Sequence, residues 1–225
     1  MNTEPTPQPL VVAIDGPSGS GKSSTARGVA RRLGLDFLDT GAMYRACAWE
    51  AARTGAETPE QIAAVVTAAE LQVTTDPDDP RISINGTDVT REIRDPEVSA
   101  TVSRVATVPE VRVDLVLRQQ QIIGEATRGI VAEGRDITTV VAPHAPVRVL
   151  LVADPDARVA RRQAELGEKV DTAQVTDQVI RRDRDDSTVA TFTEAAEGVT
   201  VVDSTHLSLD EVVDRIVRLA EEAAR

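Results

Sequence analysis

The chain has 225 residues, with 25 basic and 37 acidic side chains and a net charge of −12 when histidine is neutral. That length suits one α/β domain carrying a small insert, and that charge excludes a general binder of DNA, RNA or anionic membrane. One cysteine, Cys47, rules out an internal disulfide or a cysteine-rich zinc site, and one Trp, one Tyr and two Phe are too few for a base-stacking platform.

Residues 1–9 are rich in proline and polar side chains and read as a disordered tail, with no signal-peptide pattern. No apolar run is long enough to span a bilayer, so the expected location is the cytoplasm. Leu10 to Ile14 is a short apolar run of the kind found in buried parallel strands. A glycine-rich turn, Gly16 to Gly21, leads into a helix from about Lys22 to Leu33, stopped by Gly34. Leu35 to Leu38 reads as a second strand and Ala42 to Thr54 as a second helix, closed by Gly55.

The pattern then changes. Pro59 to Glu70 reads as a helix, followed by two short strands, Leu71–Thr75 and Arg81–Asn85, around the turn-forming run Asp76 to Pro80. Residues 58–94 therefore form a small antiparallel insert within a core spanning 10–225. Helices at Pro96–Ala106 and Pro109–Ala126 follow. The parallel pattern resumes with strands at Gly129–Ala132 and Val147–Ala153, arginine-rich helices at Pro155–Leu166 and Thr172–Asp185, a strand at Val199–Val202 and a helix at Leu209–Ala223. Five strands separated by helices predict an α/β fold: a five-stranded parallel sheet covered on both faces.

Chemistry concentrates at the first turn. Gly16, Pro17, Ser18, Gly19, Ser20, Gly21, Lys22 and Ser23 match G-x-x-x-x-G-K-[ST], and Lys22 is one of only two lysines in the chain. Such a loop converges backbone N–H groups on phosphate oxygens, and the following helix adds its positive N-terminus. Lys22 would follow the β- and γ-phosphates and Ser23 would coordinate Mg²⁺. Three uses of a triphosphate compete. A GTPase needs D-x-x-G, which is absent; the nearest base-reading run, Glu168 to Asp171, has Glu where Asn is required. A mechanical ATPase needs a strand ending in Asp-Glu, also absent. A small-molecule kinase needs cations between two polyanions. Candidates are Arg45, Arg135 and the late arginines Arg158, Arg161, Arg162, Arg181, Arg182 and Arg184. Glu133-Gly134-Arg135-Asp136 follows an apolar strand, at the sheet end where open α/β folds bind ligands.

Several segments together carry a family likeness: Ile14 to Ser24, Leu38 to Arg45, Asp88 to Arg94, Ser103 to Arg112, Glu133 to Ile137, Arg182 to Ser187 and Val202 to Ser204. On these the chain resembles the bacterial cytidylate kinases over about residues 10 to 220. The resemblance implies a P-loop nucleoside monophosphate kinase fold, with 58–94 as the monophosphate-binding insert and an arginine-rich helical lid at about 158–190. It implies transfer from ATP to CMP or dCMP with Mg²⁺, by a monomer. Carried over, Gly16 to Ser24 would hold the ATP phosphates. Thr40, Arg45, Gly134 and Arg135 would hold the acceptor's phosphate side, and Ser103, Arg112 and Asp136 would read cytosine. Arg182 and Asp186 would hold the ribose. Lys22, Arg135, Arg158 and Arg162 would neutralise the transferring group. Independently, a carboxylate and a guanidinium suit cytosine's amino donor and its ring acceptors. The chain departs from the family pattern at Val189, normally an arginine, at Thr138, normally a glycine, and at Ala142, normally aromatic. Two alternatives share the loop: a P-loop kinase for another acceptor such as UMP, and a nucleotide-binding sensor with weakened transfer.

Overall fold

A computed structural model describes residues 9–166, 184, 190 and 192–224. The chain runs β1 (Val11–Asp15), α1 (Lys22–Leu33), β2 (Asp36–Asp39), α2 (Thr40–Thr54) and α3 (Pro59–Ala68). Then come β3 (Leu71–Val73), β4 (Ile82–Ile84), β5 (Thr87–Asp88), a 3₁₀ turn (Glu92–Arg94), α4 (Pro96–Ala106) and α5 (Pro109–Glu125). After these follow β6 (Ile130–Gly134), a π-helical turn (Ile137–Val141), β7 (Val147–Val152), α6 (Pro155–Leu166), β8 (Thr200–Asp203) and α7 (Leu209–Ala223). The expected five-stranded parallel sheet is present, in the order β2-β6-β1-β7-β8. Among the described residues no helix is long and apolar enough to cross a membrane.

Each face of the sheet has its own core. On one face Val12, Ile14, Val149, Leu151 and Val202 pack with Val29 of α1 and Ile216 of α7. On the other, Ala13, Leu38 and Ala132 pack with Met43 of α2 and Leu115 of α5. Ile62, Val66, Ile82 and Ile84, from the expected insert, continue this second core. Further anchors hold that segment to the first face: Phe37 N–H donates to the Thr75 carbonyl at 2.8 Å, and Arg31 pairs with Asp78 at 2.7 Å.

Several boundaries differ from the expectation, each for a physical reason. The second helix starts at Thr40, not Ala42, because the Asp39 carboxylate caps it by accepting from Ala42 N–H at 2.8 Å. The third helix ends at Ala68, not Glu70: Ala69 is extended and its carbonyl accepts from Arg118 at 2.9 Å. The small sheet has three strands rather than two. Asn85 and Gly86, with φ of 50° and 76°, form a tight hairpin that returns the chain as β5. The strand expected at Gly129–Ala132 is β6, Ile130–Gly134, so Glu133 and Gly134 lie within it. Most of the expected lid lies outside the described residues, including the helix expected at 172–185 and Arg181, Arg182, Asp186 and Val189.

Parallel register aligns the strand ends. Asp15 lies beside Gly134, and Asp39 beside Glu133, at the C-terminal edge of the sheet. Asp15 is buried there and is used structurally. Its carboxylate accepts from Ile137 N–H at 2.9 Å, Thr138 N–H at 2.8 Å and the Thr138 hydroxyl at 2.6 Å. Burial pushes Asp15 up from the ordinary carboxylate range, and these three donors oppose it. The bonds fix the π-helical turn, and with it the direction of the preceding Arg135-Asp136. Asp15→Ala should therefore strand three donors and cost about 2–5 kcal/mol, and Thr138→Val about 1–2 kcal/mol, in urea unfolding. An Asp15→Ala protein as stable as the parent would show that the clasp does not hold this turn.

Candidate active site

The loop from Gly16 to Gly21 joins β1 to α1. Gly19 adopts φ +74°, and a Cβ there would lie 2.5 Å from the Arg158 carbonyl, so only glycine lets the loop pack against α6. Gly21, with φ 89°, starts α1 without any side-chain cap, and no acid occupies that helix's first turn. The first-turn N–H groups and the helix dipole thus face the loop with no acid of the helix's own first turn to offset them, the arrangement that favours phosphate. From behind, the loop is braced. Arg158 donates to the Ser18 carbonyl at 3.1 Å, and Arg161 to the Ser20 carbonyl at 3.2 Å. Ser204, at the end of β8, donates its hydroxyl to the Ser20 carbonyl at 3.1 Å and accepts from Arg161 at 2.9 Å.

A pocket of about 140 Å³ opens in front of the loop. Ser18, Gly19, Gly21, Lys22, Ser23 and Ser24 line one side. Thr40, Arg45, Arg112, Gly134, Arg135, Asp136 and Arg162, residues far apart in sequence, also line it. Gly16, Pro17 and Ser20 form the loop without lining this pocket, and Ser20 is buried. Two of the candidate residues are placed differently. Ser103 is not among the lining residues, although its neighbours on α4, Val102 and Ala106, are. Arg158 does not line the pocket either; it reaches the back of the loop. Arg182 and Asp186 lie outside the described residues.

The polar contacts are specific. Lys22 Nζ donates to the Pro17 carbonyl at 3.3 Å, and Thr40 Oγ1 donates to the Glu133 carbonyl at 2.8 Å. Arg45 pairs with Asp39 at 2.9 Å. Arg112 hydrogen-bonds Asp136 directly, joining the two candidate base readers. Arg135 stacks over the Phe192 ring, 4.3 Å from its centroid. Ser23 donates to Glu133 Oε1 at 2.5 Å. Ser23 Oγ and the Glu133 carboxylate, with Asp39 adjacent, are oxygen donors of the type that a hard divalent cation takes alongside substrate phosphates and water.

Sequence reasoning left Asp15, Asp39 and Glu133 without roles, though each ends a strand at the sheet edge where ligands bind. That position was the available signal. Nothing local to Phe192 or Ser204 announced their contacts, which cross tens of residues of chain. The two carboxylates beside Lys22 are electrostatically opposed. Burial first, and then the Asp39 charge, push Glu133 up to about 7. Enclosure would push Asp39 up as well, but Arg45, the Ala42 N–H and Lys22 outweigh it and hold Asp39 below its ordinary value.

Comparison with known proteins follows the same lines. The cytidylate kinase family model matches residues 12–222. A cytidylate kinase of Cutibacterium acnes is 61% identical over 96% of this chain and 98% of its own. Another, from Streptomyces avermitilis, is 44% identical over 95% and 93% respectively. Among solved structures, an uncharacterised protein from Eubacterium ventriosum superposes with a TM-score of 0.55 at 11% identity, over 94% of this chain and 98% of that one, a likeness of fold alone.

Glu133 gives a pH prediction. Its value is raised from 4.5 to about 7 on folding, so the folded ligand-free protein prefers it protonated. The associated stability is full below about 4.5 and is lost as pH rises through about 7. Glu133→Gln should therefore match the parent near pH 5 and exceed it by up to about 3 kcal/mol near pH 8 in urea unfolding. Parallel pH profiles for the two proteins would remove the buried charge as their cause.

Proposed function

The chain belongs to the cytidylate kinase family, and from that membership together with the pocket geometry we propose that it transfers the γ-phosphoryl group of ATP to CMP or dCMP, giving CDP or dCDP. The observation that carries this reading is the Arg112–Asp136 pair, which lines the same pocket as Lys22 and Ser23 of the phosphate loop.

Gly16 to Ser24 bind the donor's phosphates through backbone N–H groups and the start of α1. Lys22 carries the charge that accompanies the migrating phosphoryl group. Bound with the nucleotide, Mg²⁺ supplies charge neutralisation and phosphate orientation. Ser23 and Glu133 are the residues that would hold it.

Arg45 and Arg135 receive the acceptor's phosphate from two sides. Asp39 orients Arg45 through their ion pair, and Phe192 orients Arg135 by stacking. Thr40 and Gly134 shape the adjoining wall, and Arg162 adds a cation over the donor phosphates. Arg158 works through the loop, by bonding its Ser18 carbonyl. Ser103 is assigned to the base and Arg182 and Asp186 to the ribose by correspondence with the family. No general base is required, because a phosphate oxygen of the acceptor is already largely ionised at neutral pH; positioning and neutralisation suffice.

Base choice follows from donor and acceptor pattern. Asp136 takes the cytosine amino proton, and Arg112 donates to N3 or O2. Uracil reverses that pattern at N3 and the 4-position, setting its O4 against the Asp136 carboxylate and its N3–H against the Arg112 guanidinium. The partners are free nucleotides rather than nucleic acid, since a chain of net charge −12 repels a polyanion while arginines gather at the pocket. The protein is assigned as a cytoplasmic monomer.

Asp136→Asn and Arg112→Met should each lower kcat/KM for CMP by about 1–3 kcal/mol, with the KM for ATP little changed. A coupled ADP-release assay with CMP and UMP checks this. Retention of the full CMP-over-UMP preference in both variants would take base reading away from this pair.

A further inference from the structure

A second cleft, of about 400 Å³, lies where β3 and β4 face α1 and the start of α4. It shares Ser23, Asp39, Arg45 and Arg162 with the active-site pocket and adds Arg27, Arg81 and Arg94. Five arginines thus line it against a single carboxylate, Asp39, in a chain whose net charge is −12. Folding has gathered cations here against the composition.

Some of that charge is met within the protein. Arg45 pairs with Asp39 at 2.9 Å, and Arg81 with Asp79 at 2.6 Å. Arg27 and Arg94 differ: neither has a carboxylate within ion-pair distance among the described residues. Arg27 spends one N–H on the Pro77 carbonyl at 3.3 Å, which helps to seat the turn at residues 76–80. Burial, then the neighbouring Arg31 and Arg94 cations, push Arg27 below its ordinary value, against the opposing pull of Asp78 and Asp39. Arg94 is placed by its own segment. Val89 and Ile93 are buried in the core and fix the 3₁₀ turn, which leaves Arg94 exposed at the cleft. Anchoring the insert accounts for Arg27 and Arg31 but not for Arg94. Beside the arginines, Phe37, Ile82 and Ile93 supply an apolar wall. A cationic end with an apolar wall is the usual composition of a site for a phosphate-bearing small molecule.

We propose that this cleft is a second anion site, which takes the phosphate group of a small molecule on Arg27 and Arg94 while the active-site pocket is itself filled. The site lies beyond the transfer reaction: neither arginine is assigned to the donor or the acceptor. Occupancy would tie the antiparallel sheet to α1.

The test is calorimetric titration of the full chain with pyrophosphate, after saturation with a bisubstrate analogue that joins adenosine to cytidine through five phosphates. One equivalent of pyrophosphate should still bind. Arg27→Ala and Arg94→Ala should each weaken that binding about tenfold or more, the effect of losing one charge-assisted hydrogen bond, and leave analogue affinity unchanged. Loss of all pyrophosphate binding once the analogue is bound would overturn the proposal and return these arginines to the acceptor site. Binding that is indifferent to both variants would overturn it too, by placing the ion elsewhere. Failure of the analogue itself to bind would count against the kinase reading alone. Pyrophosphate titrated without the analogue would then decide, through loss of one equivalent in the two variants or an unchanged isotherm.

Discussion

Three carboxylates end adjacent strands of a buried parallel sheet, and the architecture of the site follows from how each is satisfied. Asp15 is met by two backbone N–H groups and a hydroxyl, Asp39 by a guanidinium and a helix start, and Glu133 by the Ser23 hydroxyl. A buried carboxylate without partners would cost several kcal/mol or would take up a proton. Satisfying Asp15 draws the π-helical turn against β1 and so sets where Arg135 and Asp136 emerge. Satisfying Asp39 aims Arg45. Glu133 is enclosed beside the Asp39 charge, and burial together with that charge raises its affinity for a proton.

The phosphate loop depends on a similar economy of partners. Its front offers N–H groups and its back offers carbonyls, and the back is braced by side chains from two elements. Arg158, Arg161 and Ser204 take the carbonyls of Ser18 and Ser20. Two of these braces, Arg158 and Arg161, come from α6, so that helix and the loop are joined by hydrogen bonds. Arg158, expected at the transferring group, donates to the Ser18 carbonyl of the loop.

Most of the fold could be read from the sequence, and the errors share one cause. Apolar runs predicted β1 at 10–14, β2 at 35–38, β6 at 129–132 and β8 at 199–202, yet these strands end at Asp15, Asp39, Gly134 and Asp203. Apolarity marks the part of a strand that faces the core and stops before the polar residues that the same strand delivers to the site. The functional carboxylates were thus missed by the criterion that found their strands. β5 escaped because its two residues, Thr87 and Asp88, are polar and exposed, and pairing with β4 alone defines it. The phosphate loop was legible because its glycines and Lys22 have a fixed spacing. The Arg112–Asp136 bond was legible only as two residues suited to one base; that they bond each other depends on where α5 crosses the end of β6.

The central claim is that this pocket moves phosphate from ATP to a cytosine nucleotide and discriminates by base. The most direct measurement is acceptor-dependent ADP release by the unmodified protein with CMP, dCMP and UMP at matched concentrations. CMP or dCMP should exceed UMP in kcat/KM by about a hundredfold or more, the discrimination expected when a wrong base leaves buried polar groups unpaired. Equal use of UMP and CMP, or ADP release that needs no acceptor, would contradict the account.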